Sequence, residues 1–252
     1  MSTIQPRSIT CPYCSTTFDG WLVLAGSSRG GPKSTDLRNF ANGEDPLPKQ
    51  INACSGCGWV GEVSDFEELA PPAEGTVRIA DVGAFYSLHE WDDAHDPMLI
   101  DGPARHASTI GEQRAMWLTP KAADAVADAP FRYEQHAQVQ RWRGEGPLRE
   151  GDAWLRAAWL HGDVSSEDAS RRCRRMALSS YLRGIQERRW FKRREDLVVI
   201  AYLCGELNRR LGDTAEAARW FEQTVAWSSG LPHLQELVEL AERQGREPRD
   251  LV

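Results

Sequence analysis

The chain has 252 residues, of which 41% are apolar and 27% charged. That is enough to bury the core of one large domain or two smaller ones, and it excludes a disordered or fibrous chain. The net charge of −7 argues against wholesale wrapping of nucleic acid. No run approaches the ~20 apolar residues of a spanning helix, and residues 1–10 lack the apolar stretch of a secretory signal. A cytoplasmic protein with no membrane part is therefore expected.

The first signal along the chain is Cys11-Pro-Tyr-Cys14, answered later by Cys54-Ser-Gly-Cys57. In a reducing compartment, paired C-x-x-C motifs point to metal rather than to disulfides. Each pair folds into a tight knuckle that aims two sulfurs at one ion. Two knuckles supply the four ligands of a tetrahedral zinc site. Pro12 stiffens the first knuckle, and Gly56 and Gly58 give the second its backbone freedom. Four thiolates leave no open position, so the expected metal is one structural Zn²⁺. An iron site of rubredoxin type uses the same thiolates, and ligand count alone does not separate the two. A thioredoxin-like redox pair fits less well, because no βαβ pattern surrounds either motif.

Thirty-nine residues separate Cys14 from Cys54, against ~15–20 in common zinc patterns. The excess reads as one long inserted loop, residues 26–50, which costs little because closure entropy grows slowly with length. After the second knuckle, APPAEG at residues 70–75 reads as a linker. Residues 76–118 show no clean period. They hold His89, Glu90, Asp92, Asp93, His95 and Asp96, which are consecutive rather than convergent and read as a solvated acidic loop. A hydrolytic site there is the weaker alternative. Thr119-Pro120 then reads as a helix start.

From about residue 130 the apolar spacing is helical. Leu197, Ile200, Ala201, Cys204, Leu207 and Leu211 make one stripe, and Gly212 is placed to end that helix. Asp213 with Glu216 reads as a capping box for the next, whose inner stripe is Ala217, Trp220, Phe221 and Thr224. Leu234, Leu237, Val238 and Ala241 mark a last helix. Residues 198–231 have the length of a tetratricopeptide repeat, with Gly205, Ala217 and Phe221 at its small and aromatic positions. A similar unit precedes it, with Trp154, Ala157, Ala158 and Trp159 on one helix and Ala177 and Tyr181 on the next. Cys173 and Cys204 sit in these helices as small core residues. His161, beside Gly162, fits a helix C-terminus.

Residues 171–194 hold ten Lys or Arg and one acid, Glu187. Arg171, Arg172, Arg174 and Arg175 open one helix. Arg188, Arg189, Lys192, Arg193 and Arg194 surround Trp190, the best candidate for an exposed aromatic. Basic residues interleaved with aromatics suit an acidic partner or a nucleic-acid backbone. The simpler reading is a solvated face balanced by the acidic remainder. No G-x-S-x-G, H-E-x-x-H, P-loop or G-x-G-x-x-G occurs, so a non-catalytic protein is expected.

Several stretches together resemble the uncharacterised bacterial family named domain of unknown function 2225. They are CPYC, STDLRNF at 34–40, EDPLP at 44–48, CSGCGW at 54–59 and SDF at 64–66. Downstream, YEQHA at 133–137, LRAAWL at 155–160, SSYLRGI at 179–185 and LGDTAEAARWF at 211–221 add to it. The resemblance implies that Cys11, Cys14, Cys54 and Cys57 are metal ligands. Asp36 and Arg38 match a polar loop motif to which the resemblance gives no role. Ser15 departs from the pattern, standing where a glycine often follows the first knuckle. The expected fold is α+β: a zinc-ribbon-like module over residues 8–70, an irregular segment over 71–118, and an all-α tetratricopeptide-like domain over 119–252. The expected role is protein–protein interaction through the helices, with a nucleic-acid-associated protein using residues 171–194 as the alternative.

Overall fold

In the computed structural model, which describes residues 4–12, 14–24, 30–68 and 128–250, each C-x-x-C pair closes the turn of an antiparallel strand pair. Strands β1 (Ile4–Thr10) and β2 (Thr17–Val23) pair in the register Ile9 to Phe18 and Thr10 to Thr17. The first knuckle bridges them, with Cys11 N donating to Thr16 O at 2.9 Å. Strands β5 (Asn52–Ala53) and β6 (Val60–Gly61) flank the second knuckle in the same way, and Cys54 N donates to Trp59 O at 2.8 Å. Between them the long insertion is more ordered than its composition suggests. It folds a small hairpin, β3 (Gly30–Lys33) with β4 (Asn39–Ala41), and a single helical turn, α1 (Leu47–Gln50). Helix α2 (Val63–Glu68) follows.

Asn52 joins the two knuckle hairpins. Its side-chain oxygen accepts from Trp21 N at 2.7 Å, and its amide nitrogen donates to Trp21 O at 3.0 Å. Beneath them Phe18, Trp59 and Phe66 form an edge-to-face cluster, with ring centres 5.3 and 4.7 Å apart. Trp59 and Val60 are fully buried. Burial of side chains of this size stabilises by about 2 kcal/mol each.

Six α-helices follow among the described residues: α3 (Ala129–Arg143), α4 (Pro147–Asp163), α5 (Glu167–Glu187), α6 (Arg194–Leu211), α7 (Thr214–Trp227) and α8 (Gln235–Arg246). Each packs on the next, and α8 also touches α6. The predicted stripe on α6 is in place, with Ala201, Cys204 and Leu207 fully buried. Gly212 ends that helix at φ 94°, and Glu216 N donates to the Asp213 side chain at 3.0 Å. One contact recurs. A Cβ at Gly151 of α4 would lie 2.5 Å from the Tyr181 ring of α5, and a Cβ at Gly205 of α6 would lie 2.7 Å from the Phe221 ring of α7. In each pair the glycine lets an aromatic ring rest directly on the helix backbone.

The helical unit and the cysteine module meet. Tyr133 of α3 donates its hydroxyl to Leu47 O at 3.0 Å, Arg132 donates to Pro48 O at 2.7 Å, and Arg143 pairs with Asp65 at 3.0 Å. The expectations for residues 71–118, for His89 to Asp96 and for Thr119-Pro120 lie outside the described residues.

Candidate metal centre

Local backbone geometry brings the four cysteines together. In each knuckle a hydrogen bond runs back to the first cysteine carbonyl, from Ser15 N at 2.9 Å and from Gly58 N at 2.7 Å. Both donors take positive φ, 61° for Ser15 and 75° for Gly58. The four Sγ atoms lie within 4.8 Å of one another. Cys11 and Cys57 are 3.7 Å apart, and Cys14 and Cys54 are 3.4 Å apart. Four sulfurs held ~2.3 Å from a central ion at tetrahedral angles stand about 3.8 Å apart. The cluster therefore fits a metal ion with little adjustment. Cys11, Cys54 and Cys57 are buried and Cys14 partly so.

The surroundings of Cys54 favour its thiolate. Gly56 N points at Cys54 Sγ at 3.3 Å. Hydrogen bonds with Cys11 and Cys57 push the Cys54 thiol down to about 2, while hydrogen bonds with Cys11 and Cys54, together with burial, hold Cys57 well above its ordinary value. A divalent ion would let all four ionise.

The remaining cysteines stand apart. Burial pushes the Cys204 thiol up. Cys173 lies in a second buried group with Glu134 and His161, whose ligand-type atoms also fall within 4.8 Å. That group reads as an ion-pair network. His161 Nε2 and Glu134 Oε1 close to 2.5 Å, a hydrogen-bond distance, where two ligands of one ion would stand about 3.3 Å apart. Arg172 already supplies a cation to the same oxygen at 2.8 Å, and burial and Glu134 push the Cys173 thiol up. His161 does sit in the last turn of α4, as its sequence position suggests, and its partner is Glu134 of α3.

Asp36 and Arg38 acquire a role. They occupy the tip of the β3–β4 hairpin, where Ser34 N donates to Arg38 O at 2.9 Å and Leu37 turns at φ 67°. That tip enters the helical unit. Arg38 forks onto Asp163 of α4 at 2.8 and 2.7 Å and reaches Asp45 at 2.9 Å. Burial opposes its charge, but those two carboxylates outweigh it and raise its pKa. Asp36 accepts from Ser34 and from Trp159 Nε1 at 2.8 Å, with Arg210 Nε at 3.6 Å. Thr35 donates its hydroxyl to Glu206 of α6 at 2.6 Å, and its carbonyl accepts from Tyr202 at 2.6 Å. Asp36 and Arg38 were legible as a motif. Thr35 lay within that motif and Trp159 on a helix stripe, but their meeting with each other and with Asp163, Glu206 and Arg210 was not legible, because no local pattern links residues more than a hundred positions apart.

The ten residues considered for a partner surface fall into two groups, at opposite ends of α5 and about 20 Å apart along its axis. At the first end Arg171 donates to Leu211 O, Arg172 to Glu134 and Arg174 to Glu167, and Arg175 is half-buried. At the second, Arg188 lies over Trp227, Arg189 pairs with Glu187 and Arg193 with Asp196, while Lys192 and Arg194 are exposed. Trp190 is half-buried against Gly146, and its indole donates to Glu187 at 2.5 Å.

No curated protein and no solved structure matches this chain. A family model does, over residues 119–247, described as an uncharacterized protein conserved in bacteria. The four cysteines lie outside that span, which takes in all six helices. The match covers just over half of the chain, which therefore belongs to the DUF2225 family.

Proposed function

We propose that this protein is a non-catalytic zinc protein whose metal module braces a tetratricopeptide-like helical scaffold for another protein. The carrying observation is the set of four cysteine sulfurs within 4.8 Å of one another. Cys11, Cys14, Cys54 and Cys57 would hold one Zn²⁺, leaving no position for substrate or water, which is the arrangement of structural sites. The recurring contacts of Gly151 with Tyr181 and Gly205 with Phe221 support a repeated helix pair. Metal-binding thiolates must stay reduced, which favours a reducing compartment such as the cytoplasm. The separation of the basic residues into two groups gives the nucleic-acid reading less support. No described helix is long and apolar enough to cross a membrane.

Elemental mass spectrometry of protein made without added metal tests the reading, with a Cys54→Ser, Cys57→Ser variant alongside. One zinc per chain, lost in the variant, is expected. Iron would move the function to electron transfer. Metal-free wild type would overturn the proposal and leave the cysteines to redox chemistry.

A further inference from the structure

Of the four clustered cysteines, Cys11, Cys54 and Cys57 are no more than 3% exposed, and Cys14 alone is partly open to solvent. Oxidation of cysteine follows thiolate character and access. A sulfur that binds metal is held as thiolate, so within the cluster access decides, and access selects Cys14. Cys54 Sγ stands 3.4 Å from Cys14 Sγ, on the other knuckle and itself fully buried. A small oxidant therefore reaches Cys14 first, and Cys54 is placed to meet the oxidised sulfur. The pair does not depend on an ion for its closeness. The Asn52 side chain joins the two knuckle hairpins by bonding both Trp21 N and Trp21 O, and Phe66 packs on Phe18 of one hairpin and on Trp59 beside the other.

We propose that Cys14 is an oxidation site for hydroperoxides and that Cys54 resolves it, so that the cluster converts to a Cys14–Cys54 disulfide and gives up its metal ion. The Cys14 sulfur attacks the O–O bond. One oxygen stays on it as sulfenic acid, and the other leaves with a proton as water or alcohol. The Cys54 thiolate then attacks the Cys14 sulfur, and the sulfenic oxygen leaves as water with a second proton from solvent. The two sulfurs together give up two electrons, the peroxide takes two, and the ion departs with its charge unchanged. Cys11 and Cys57 remain, two ligands where four held the ion. The new bond keeps the knuckles together, so a thiol reductant with zinc rebuilds the centre, as suits a transient disulfide in a reducing compartment. The inference rests on the zinc site proposed above.

The test uses the zinc-loaded full chain, its zinc content measured beforehand, and hydrogen peroxide below one equivalent. Zinc release is followed with a colorimetric chelator. Remaining thiols are then capped with N-ethylmaleimide under denaturing conditions, and the disulfides are mapped by mass spectrometry. Zinc release in step with disulfide formation is expected, and the first disulfide should join Cys14 to Cys54 while Cys11 and Cys57 carry the cap. In the untreated loaded chain, N-ethylmaleimide is expected to cap Cys14 at least tenfold faster than the three buried cysteines. Zinc retained after peroxide, a first disulfide between any other two cysteines, or equal capping rates would each overturn this proposal and leave the zinc site standing. A chain that carries no zinc before peroxide would overturn both.

Discussion

Ser15 holds a conformation that its own chemistry disfavours. At φ 61° it lies in the left-handed region, where an L side chain costs about 1–2 kcal/mol. Its amide needs that twist to reach the Cys11 carbonyl and close the knuckle. At the matching position of the second knuckle Gly58 takes φ 75° without the penalty. Ser15→Gly is therefore expected to stabilise the metal-loaded chain by about 1 kcal/mol, raising its melting midpoint by roughly 2–4 °C. A midpoint unchanged or lowered would show that the serine side chain contributes more than its strain removes. At this scale the sequence was informative. The two C-x-x-C pairs are local patterns whose chemistry is carried within four residues, and the missing glycine after Cys14 pointed to the strained position directly.

Between elements, the sequence spoke clearly wherever one hydrogen bond or one turn settled the matter. Gly212 ending α6 and Asp213 capping α7 are short-range events, visible as G-D-x-x-E. The hairpin of β3 and β4 was not visible, because glycines, a proline and charges look like irregular loop when the pairing partner is unknown. The Gly–aromatic contacts lie between these cases: the small and aromatic positions were legible, and their meeting needed the fold. Gly205→Ala measures that meeting. In an isolated helix alanine would gain about 1 kcal/mol over glycine. Here the new Cβ would stand 2.7 Å from a Phe221 ring that is itself buried. Overpacking of this kind costs about 1–3 kcal/mol, so a net fall in melting temperature is expected. A rise would mean that the ring moves aside freely and that α6 and α7 are not held by this contact.

Across the described residues, the cysteine module and the helices are linked, because the insertion between the knuckles reaches into the helical face. The links were illegible in the sequence for a physical reason. Arg38 and Asp163 stand 125 positions apart and Thr35 and Glu206 stand 171 apart, and pairs so distant leave no periodic trace. Their consequence is measurable by chelation at neutral pH. Deuterium uptake should rise first around residues 11–16 and 54–59, then in residues 34–38, while the buried helices α5 and α6 stay protected. Simultaneous exposure of every region would instead indicate a single cooperative unit. Protection of residues 34–38 that survives chelation would show that the hairpin tip is held by the helices alone.

The 171-residue separation of Thr35 and Glu206 also sets an order of events during biosynthesis. A ribosome adding 5–20 residues per second needs roughly ten to thirty seconds to pass from one to the other. Throughout that interval the hairpin tip has emerged and its seat has not. The knuckles can capture an ion and fix the ends of the insertion before α6 exists. The nascent chain therefore displays the acidic and basic groups of residues 34–38 before the helices that will cover them have been made.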